Sequence, residues 1–248
     1  MLYEKNGYSY MSTTSDLQKN TRALYSKMKI FLLYFFLLSG GLWHLVGKFQ
    51  KIMQMMASSL LIILTIWIFW EVWTSLFNKH KNHNNAIIQQ QKYLYIIWSV
   101  FVIIASIFIE WIGVKTGIIF GSYRYGPILK PFIDKVPVAI GFAWLGMLLS
   151  SISVSQKLFQ KPYLIIVIFA ALFMTIFDFF MEPAAIKLHY WKWTTEIIPF
   201  QNYLAWFIIS LFFILVGFKL KLFNAKINNV PFHAYFAQLG YFLLVHLS

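Results

Sequence analysis

Apolar stretches return along this chain at residues 30–47, 52–77, 93–114, 137–155, 162–181, 203–218 and 230–247. Each lies near the ~20 residues that a helix needs to cross a hydrocarbon layer. Water is the wrong solvent for such a chain. Hydrophobic residues make up 60% of its 248 positions and charged ones 12%, with a mean hydropathy of +0.66. No soluble sphere of that size hides so much apolar surface. The first six stretches read as firm spans. The seventh is weaker, because His233, Gln238 and His246 interrupt it. The fold class expected is therefore all-α, a polytopic transmembrane helix bundle of six to seven spans, eight at most. Pro137 and Pro162 stand where helices would begin, a place that needs no backbone N–H.

The polar, basic stretch 1–29 reads as an N-terminal tail, too long and too polar before the first span for a cleaved signal peptide. No repeat, low-complexity tract or linker interrupts the remainder of the chain, so 30–248 reads as a single integral membrane domain. A net charge of +13 can mark a nucleic-acid binder. Here the basic residues fall between the spans, where they meet lipid headgroups and set topology, so no nucleic-acid partner is expected. With the N-terminus inside, 13 of the 21 Lys and Arg are cytoplasmic. They are the tail's five, Lys79, Lys81, Lys92, Lys157, Lys161, Lys219, Lys221 and Lys226. The remaining eight face the other side. The positive-inside rule thus favours a cytoplasmic N-terminus. On that topology two loops richer in Gly, Pro and Tyr, 113–136 and 182–202, emerge on one face.

Only eight acids occur, and an ionisable side chain within an apolar span is by default a functional hypothesis. Glu71, Glu110, Asp178 and, at the edge, Glu182 qualify. Glu110 and Asp178 lie near the ends of spans that reach the face with the two loops. Glu182 follows Asp178 by four residues and shares its helix face. A protonated carboxylic acid in an apolar aromatic cavity is what general-acid attack on a carbon–carbon double bond requires. The aromatic faces of Trp111, Tyr123, Tyr125, Trp191 and Trp193 are suited to a nearby carbocation. Structural alternatives stand beside this reading. Glu110 or Asp178 can pair with Arg124 or a Lys, and Glu182 can be a solvated helix-end acid. Glu71 can snorkel or pair with Lys79, and Trp43, Trp67, Trp70, Trp73 and Trp98 fit an interfacial belt.

Other chemistries lack their residues. The chain has no Cys, so thiolate ligands and Cys nucleophiles are absent. His80 and His83 fall in a polar loop, His44 stands alone, and His189 sits beside Tyr190, with no HxxxH or HExxH spacing. GxSxG, P-loop and GxGxxG patterns are missing, as are paired Asp-rich diphosphate motifs. No cofactor and no metal are expected.

The run from Glu110-Trp111 through Thr116-Gly117 to Phe120-Gly121-Ser122-Tyr123-Arg124-Tyr125-Gly126 resembles a signature of the membrane-integral carotenoid biosynthesis proteins. That family is typified by 1,2-hydratases of the γ-carotene and bisanhydrobacterioruberin type. Its further elements follow in order: Val136-Pro137 before Ala143-Trp144, Asp178 with Glu182-Pro183, Trp191-Lys192-Trp193, and Pro199-Phe200-Gln201-Asn202-Tyr203-Leu204-Ala205-Trp206. The resemblance covers residues 110–206. It departs from the pattern before Asn202 and Trp206, where small residues are commoner, and at Ile118 and Ile119, where a Pro often stands.

The resemblance implies a cofactor-independent hydro-lyase, a carotenoid hydratase adding water across the terminal C1=C2 bond of an acyclic ψ-end. Combined with the acids, it makes Asp178 the proton donor to C2, being flanked by Phe177 and Phe179. Glu110 then orients water with Tyr123, Tyr125 and Asn202, or the two acids exchange roles. Glu182 joins them in the catalytic set, and Trp111, Trp144, Trp191, Trp193 and Trp206 complete the substrate-binding set. The implied partners are a carotenoid, membrane lipid and other carotenoid-pathway enzymes, and the implied location is the cell's inner (cytoplasmic) membrane. An end-group isomerase or cyclase, and a non-enzymatic transporter or lipid-binding protein, are the competing readings. Duplicated halves with matched broken helices, frequent in transporters, are not found in the sequence.

Overall fold

The computed structural model describes residues 5–77, 85–160, 162–195 and 197–248. Lys79, Lys81, His80, His83 and Lys161 lie outside the described residues, and with them the alternative pairing of Glu71 with Lys79. Seven helices follow one another among the described residues: α1 Lys5–Leu45, α2 Gln50–Phe77, α3 Asn85–Thr116, α4 Val138–Leu158, α5 Tyr163–Lys187, α6 Phe200–Lys219 and α7 Asn229–Leu247. Six contain a stretch long and apolar enough to cross a membrane, which in α1 is Ala23–Leu45. The chain is an all-α polytopic bundle. The seventh stretch does form a helix, α7, but its polar residues keep it out of that set.

Apolar side chains cover the outside. Phe35 and Phe36 on α1, Ile63 and Ile66 on α2, Ile104 and Phe108 on α3, and Phe212 on α6 are all exposed. Facing water they would be a large liability, whereas facing lipid tails they match their solvent. Without a hydrophobic drive between helices in lipid, close packing requires small residues, and α4 supplies them. It is almost wholly buried at the centre, against α2, α3, α5 and α7. A Cβ on Gly146 would come within 2.7 Å of Thr65 Oγ1. Because none is there, Thr65 reaches across to donate to the Phe142 carbonyl at 2.9 Å. Pro137, Pro162 and Pro199 stand at the N-caps of α4, α5 and α6.

The two ends of the bundle differ. At one end Gln156 of α4 holds the α6–α7 connection through Phe223 and Ile227, and Glu71 joins three helices. Glu71 is buried and accepts from Lys29 Nζ at 2.6 Å, Asn228 Nδ2 at 2.8 Å and Trp67 Nε1 at 3.3 Å. Its partner is thus a Lys 42 residues upstream. Asn228 in turn caps α7 by accepting from the Val230 N–H. Trp98, expected in the interfacial belt, is instead core. It is 1% exposed and donates to the Phe213 carbonyl at 3.0 Å, tying α3 to α6. Trp43 and Trp70 are exposed on the outer surface.

At the other end the two Gly- and Tyr-rich loops meet. β1 Tyr123–Tyr125 pairs antiparallel with β4 Trp191–Trp193, in the register Tyr123 with Trp193 and Tyr125 with Trp191. A shorter pair, β2 Phe132–Ile133 and β3 Val136–Pro137, closes the first loop. From sequence alone these strands read only as loops. Side chains alternate along a strand, so the two aromatics of each Tyr-x-Tyr and Trp-x-Trp triplet share one face. Arg124 and Lys192 take the other face and are exposed. Gly121 makes the approach possible, with a φ of +103° that L side chains rarely adopt and Pro199 stacked where a Cβ would lie.

Candidate functional site

The aromatic face of the β1–β4 ribbon closes over the ends of α3 and α5, where the acids stand. Glu110, on the last turns of α3, is 4% exposed. Its Oε2 accepts from the phenols of Tyr123 and Tyr125, the latter at 2.8 Å, and its Oε1 from Trp144 Nε1 at 3.0 Å. Three donors from β1 and α4 therefore converge on one carboxyl. Burial first, and then the charge of Glu110, push the Tyr123 and Tyr125 phenols well above the usual range. Both remain O–H donors at any physiological pH.

Glu182, near the end of α5, is 3% exposed. Its Oε2 accepts from Trp191 Nε1 and Trp193 Nε1, both at 2.9 Å. Its Oε1 has no hydrogen-bond partner among the described residues. Asp178 lies one turn earlier on the same helix and is fully buried. Its Oδ2 accepts from Asn202 Nδ2 at 2.7 Å, while Oδ1 is buried without a partner. Among the described residues the ion pairs are Lys29–Glu71 and Lys115–Asp134, so none of the three acids has a cationic partner. Glu110 is not paired with Arg124, and Glu182 is not a solvated helix end. Nor are the three carboxyls placed as a metal-holding group among the described residues.

Between Glu110 and Glu182 lies a cavity of about 50 Å³. Glu110 and Glu182 line it, with Tyr123, Tyr125, Trp144, Trp191, Trp193, Asn202 and Trp206. Trp144 and Trp206 stack with ring centroids 4.1 Å apart, and Trp193 packs 5.1 Å from Tyr123. The sequence-derived set is thus largely assembled in one place, with two exceptions. Asp178 stands behind the wall and reaches the site through Asn202. Trp111 turns outward and donates to the exposed Asp134 at 2.9 Å. That indole first, and Lys115 next, hold the Asp134 carboxyl below the usual range.

Four further wall residues are Phe120, Ile140, Ala143 and Met181; the signature includes Phe120 and Ala143 without giving them a role, and Ile140 and Met181 are not singled out by sequence reasoning. Their adjacency to Tyr123, Trp144 and Glu182 is the available signal. Gly113 admits Phe120, since a Cβ there would come within 2.6 Å of its ring.

A model of the carotenoid biosynthesis proteins matches residues 86–247, from α3 to the end of α7. The chain belongs to the carotenoid biosynthesis protein family. No curated protein and no solved structure matches it. The match includes all three acids and both strands of the ribbon. It leaves out α1 and α2, so in this carotenoid biosynthesis protein the carboxyl cavity lies wholly within the family's part of the chain.

Proposed function

We propose that this protein is a carotenoid 1,2-hydratase, adding water to the terminal C1=C2 bond of an acyclic ψ-end without a cofactor. The observation that carries the reading is the contrast between two carboxyls facing one small aromatic cavity. Both oxygens of Glu110 accept from fixed O–H and N–H donors, a setting that stabilises the anion. Glu182 takes both indoles on Oε2 and leaves Oε1 free to carry a proton. Three carboxyls in an apolar enclosure, with no ion-pair partner among the described residues, do not all ionise.

Glu182 then delivers its proton to C2, the less substituted alkene carbon, and positive charge develops at C1, which is tertiary. The indole faces and the Glu110 anion stabilise that charge. Water that donates to the remaining lone pair of Glu110 Oε1 attacks C1 and passes its proton to that oxygen. The proton returns from Glu110 to Glu182 before the next turnover. Asp178 acts through Asn202, keeping that amide oriented in the wall.

Expression in a host that accumulates an acyclic ψ-ended carotenoid, in medium containing ¹⁸O-water, tests the reaction. The expected product has gained one water per reacted end and carries the label in its new hydroxyl. A ring at unchanged mass would mean a cyclase or isomerase. Unchanged pigment would overturn enzymatic action on this substrate class.

We further place the protein in the inner membrane with its N-terminus in the cytoplasm, on the excess of Lys and Arg toward that side. The site then faces away from the cytoplasm. The chain has no native Cys, so a Ser122→Cys variant, exposed in the first loop, reports directly. It should react with a membrane-impermeant thiol reagent from outside. Labelling only after the membrane is opened would reverse the topology.

A further inference from the structure

A second, larger void adjoins the first. Its volume is about 260 Å³, and it runs between α1, α2 and α7. Ile140, Ala143, Met181 and Trp191 line both voids, so they share a wall. On α2 its lining runs from Met53 to Trp67, about 21 Å of helix at 1.5 Å per residue. The lining is almost entirely apolar, and two of its few polar side chains have polar partners. Gln238 donates to the Ala234 carbonyl, and Tyr241 meets His44.

The void also opens sideways. α1 packs chiefly on α7 and α2 chiefly on α4, so the first two helices barely touch. Phe36 of α1 and Leu60 and Ile63 of α2 line the void and are also exposed at the lipid surface.

We propose that this cleft is the binding site for the long isoprenoid chain of the substrate, entered laterally from the bilayer between α1 and α2. The inference rests on the hydratase reading and extends it to a part of the molecule outside the family match. A polyene is soluble only in the hydrocarbon layer, so a path from lipid avoids transfer through water. The shared wall favours a substrate chain over a lipid acyl chain, because only the former has an end to place among the carboxyls. The small cavity admits that end alone, and the rest of the molecule needs the adjoining cleft. Binding energy from this unreactive chain then holds the end group in position. The first two helices thereby acquire a role in choosing long substrates over short ones.

Photocrosslinking of the unmodified protein in lipid nanodiscs tests the site without needing turnover. The probe is a long acyclic isoprenoid olefin bearing a mid-chain diazirine. Adducts are expected on cleft residues such as Leu37, Leu61 and Leu64, and a phospholipid with a diazirine in its acyl chain should label the outer surface instead. Polyene adducts confined to the outer surface would overturn the proposal, as would lipid labelling of the cleft that the polyene does not displace.

Ala57, 5% exposed in the cleft wall, provides a second test. Ala57→Trp should lower the long-over-short substrate preference about tenfold. Ile66→Trp, on the lipid-facing side of α2, should not change it. An unchanged preference in Ala57→Trp overturns the proposal. Cleft adducts in a protein that hydrates nothing would refute the hydratase reading and leave the cleft as a chain-binding site.

Discussion

Glu182→Gln should reduce hydration of an acyclic ψ-end by about 10²- to 10⁴-fold, the usual worth of a positioned general acid. The substitution keeps the side chain's shape. Its amide oxygen still accepts from Trp191 and Trp193, which hold Oε2 of the native residue at 2.9 Å. The ribbon above the cavity therefore keeps its anchor, and the folded protein should reach the membrane at normal levels. The proton is what disappears, because an amide nitrogen does not protonate an alkene. Pigment analysis of cells expressing equal amounts of the two proteins reads the result. Asp178→Asn provides the contrast, since Asp178 touches Asn202 and not the cavity. It should cost less activity than Glu182→Gln. A fully active Glu182→Gln variant beside an inactive Asp178→Asn variant would return the donor role to Asp178.

Glu110→Gln should have the second large effect, with a different cause. Glu110 accepts from two phenols and one indole, and a Gln can accept through only one of its two polar atoms. One donor then faces the new NH₂ group, and a buried donor without a partner costs about 1–3 kcal/mol. The variant therefore loses stability as well as the negative charge that faces the developing cation. Hydration should fall by about 10²-fold or more, on the scale of a lost electrostatic stabiliser. The unfolding midpoint in detergent should fall too, which Glu182→Gln should not cause. Activity near wild type in Glu110→Gln would refute its role as anion and water holder. An unshifted midpoint would show that the three donors do not depend on the carboxylate.

The two acids thus differ in a way that their sequence positions do not reveal. Both lie near the C-terminal ends of apolar helices, and scarcity of acids is enough to draw attention to them. By sequence Asp178 is the deeper in apolar surroundings, flanked by Phe177 and Phe179. In the folded protein that depth puts it behind the wall, while Glu182 at the apparent interface faces the void. The Trp-x-Trp triplet makes the difference, because it folds back over Glu182 and removes it from solvent. The ribbon is legible in sequence as two unusual loops on one face. Its pairing is not, since three-residue strands joined across some 70 residues leave no local periodicity to read.

The chain's own sequence determined its solvent, its spans and the few acids placed within them. Those features follow from local composition, because a hydrocarbon layer imposes length and polarity on each helix separately. Tertiary structure alone decided which donors meet which carboxyl. It also paired Glu71 with Lys29 of another helix, buried Trp98 against α6, and left a cleft between α1 and α2. These outcomes depend on contacts between segments distant in sequence. Packing geometry sets such contacts, and no run of neighbouring residues records them.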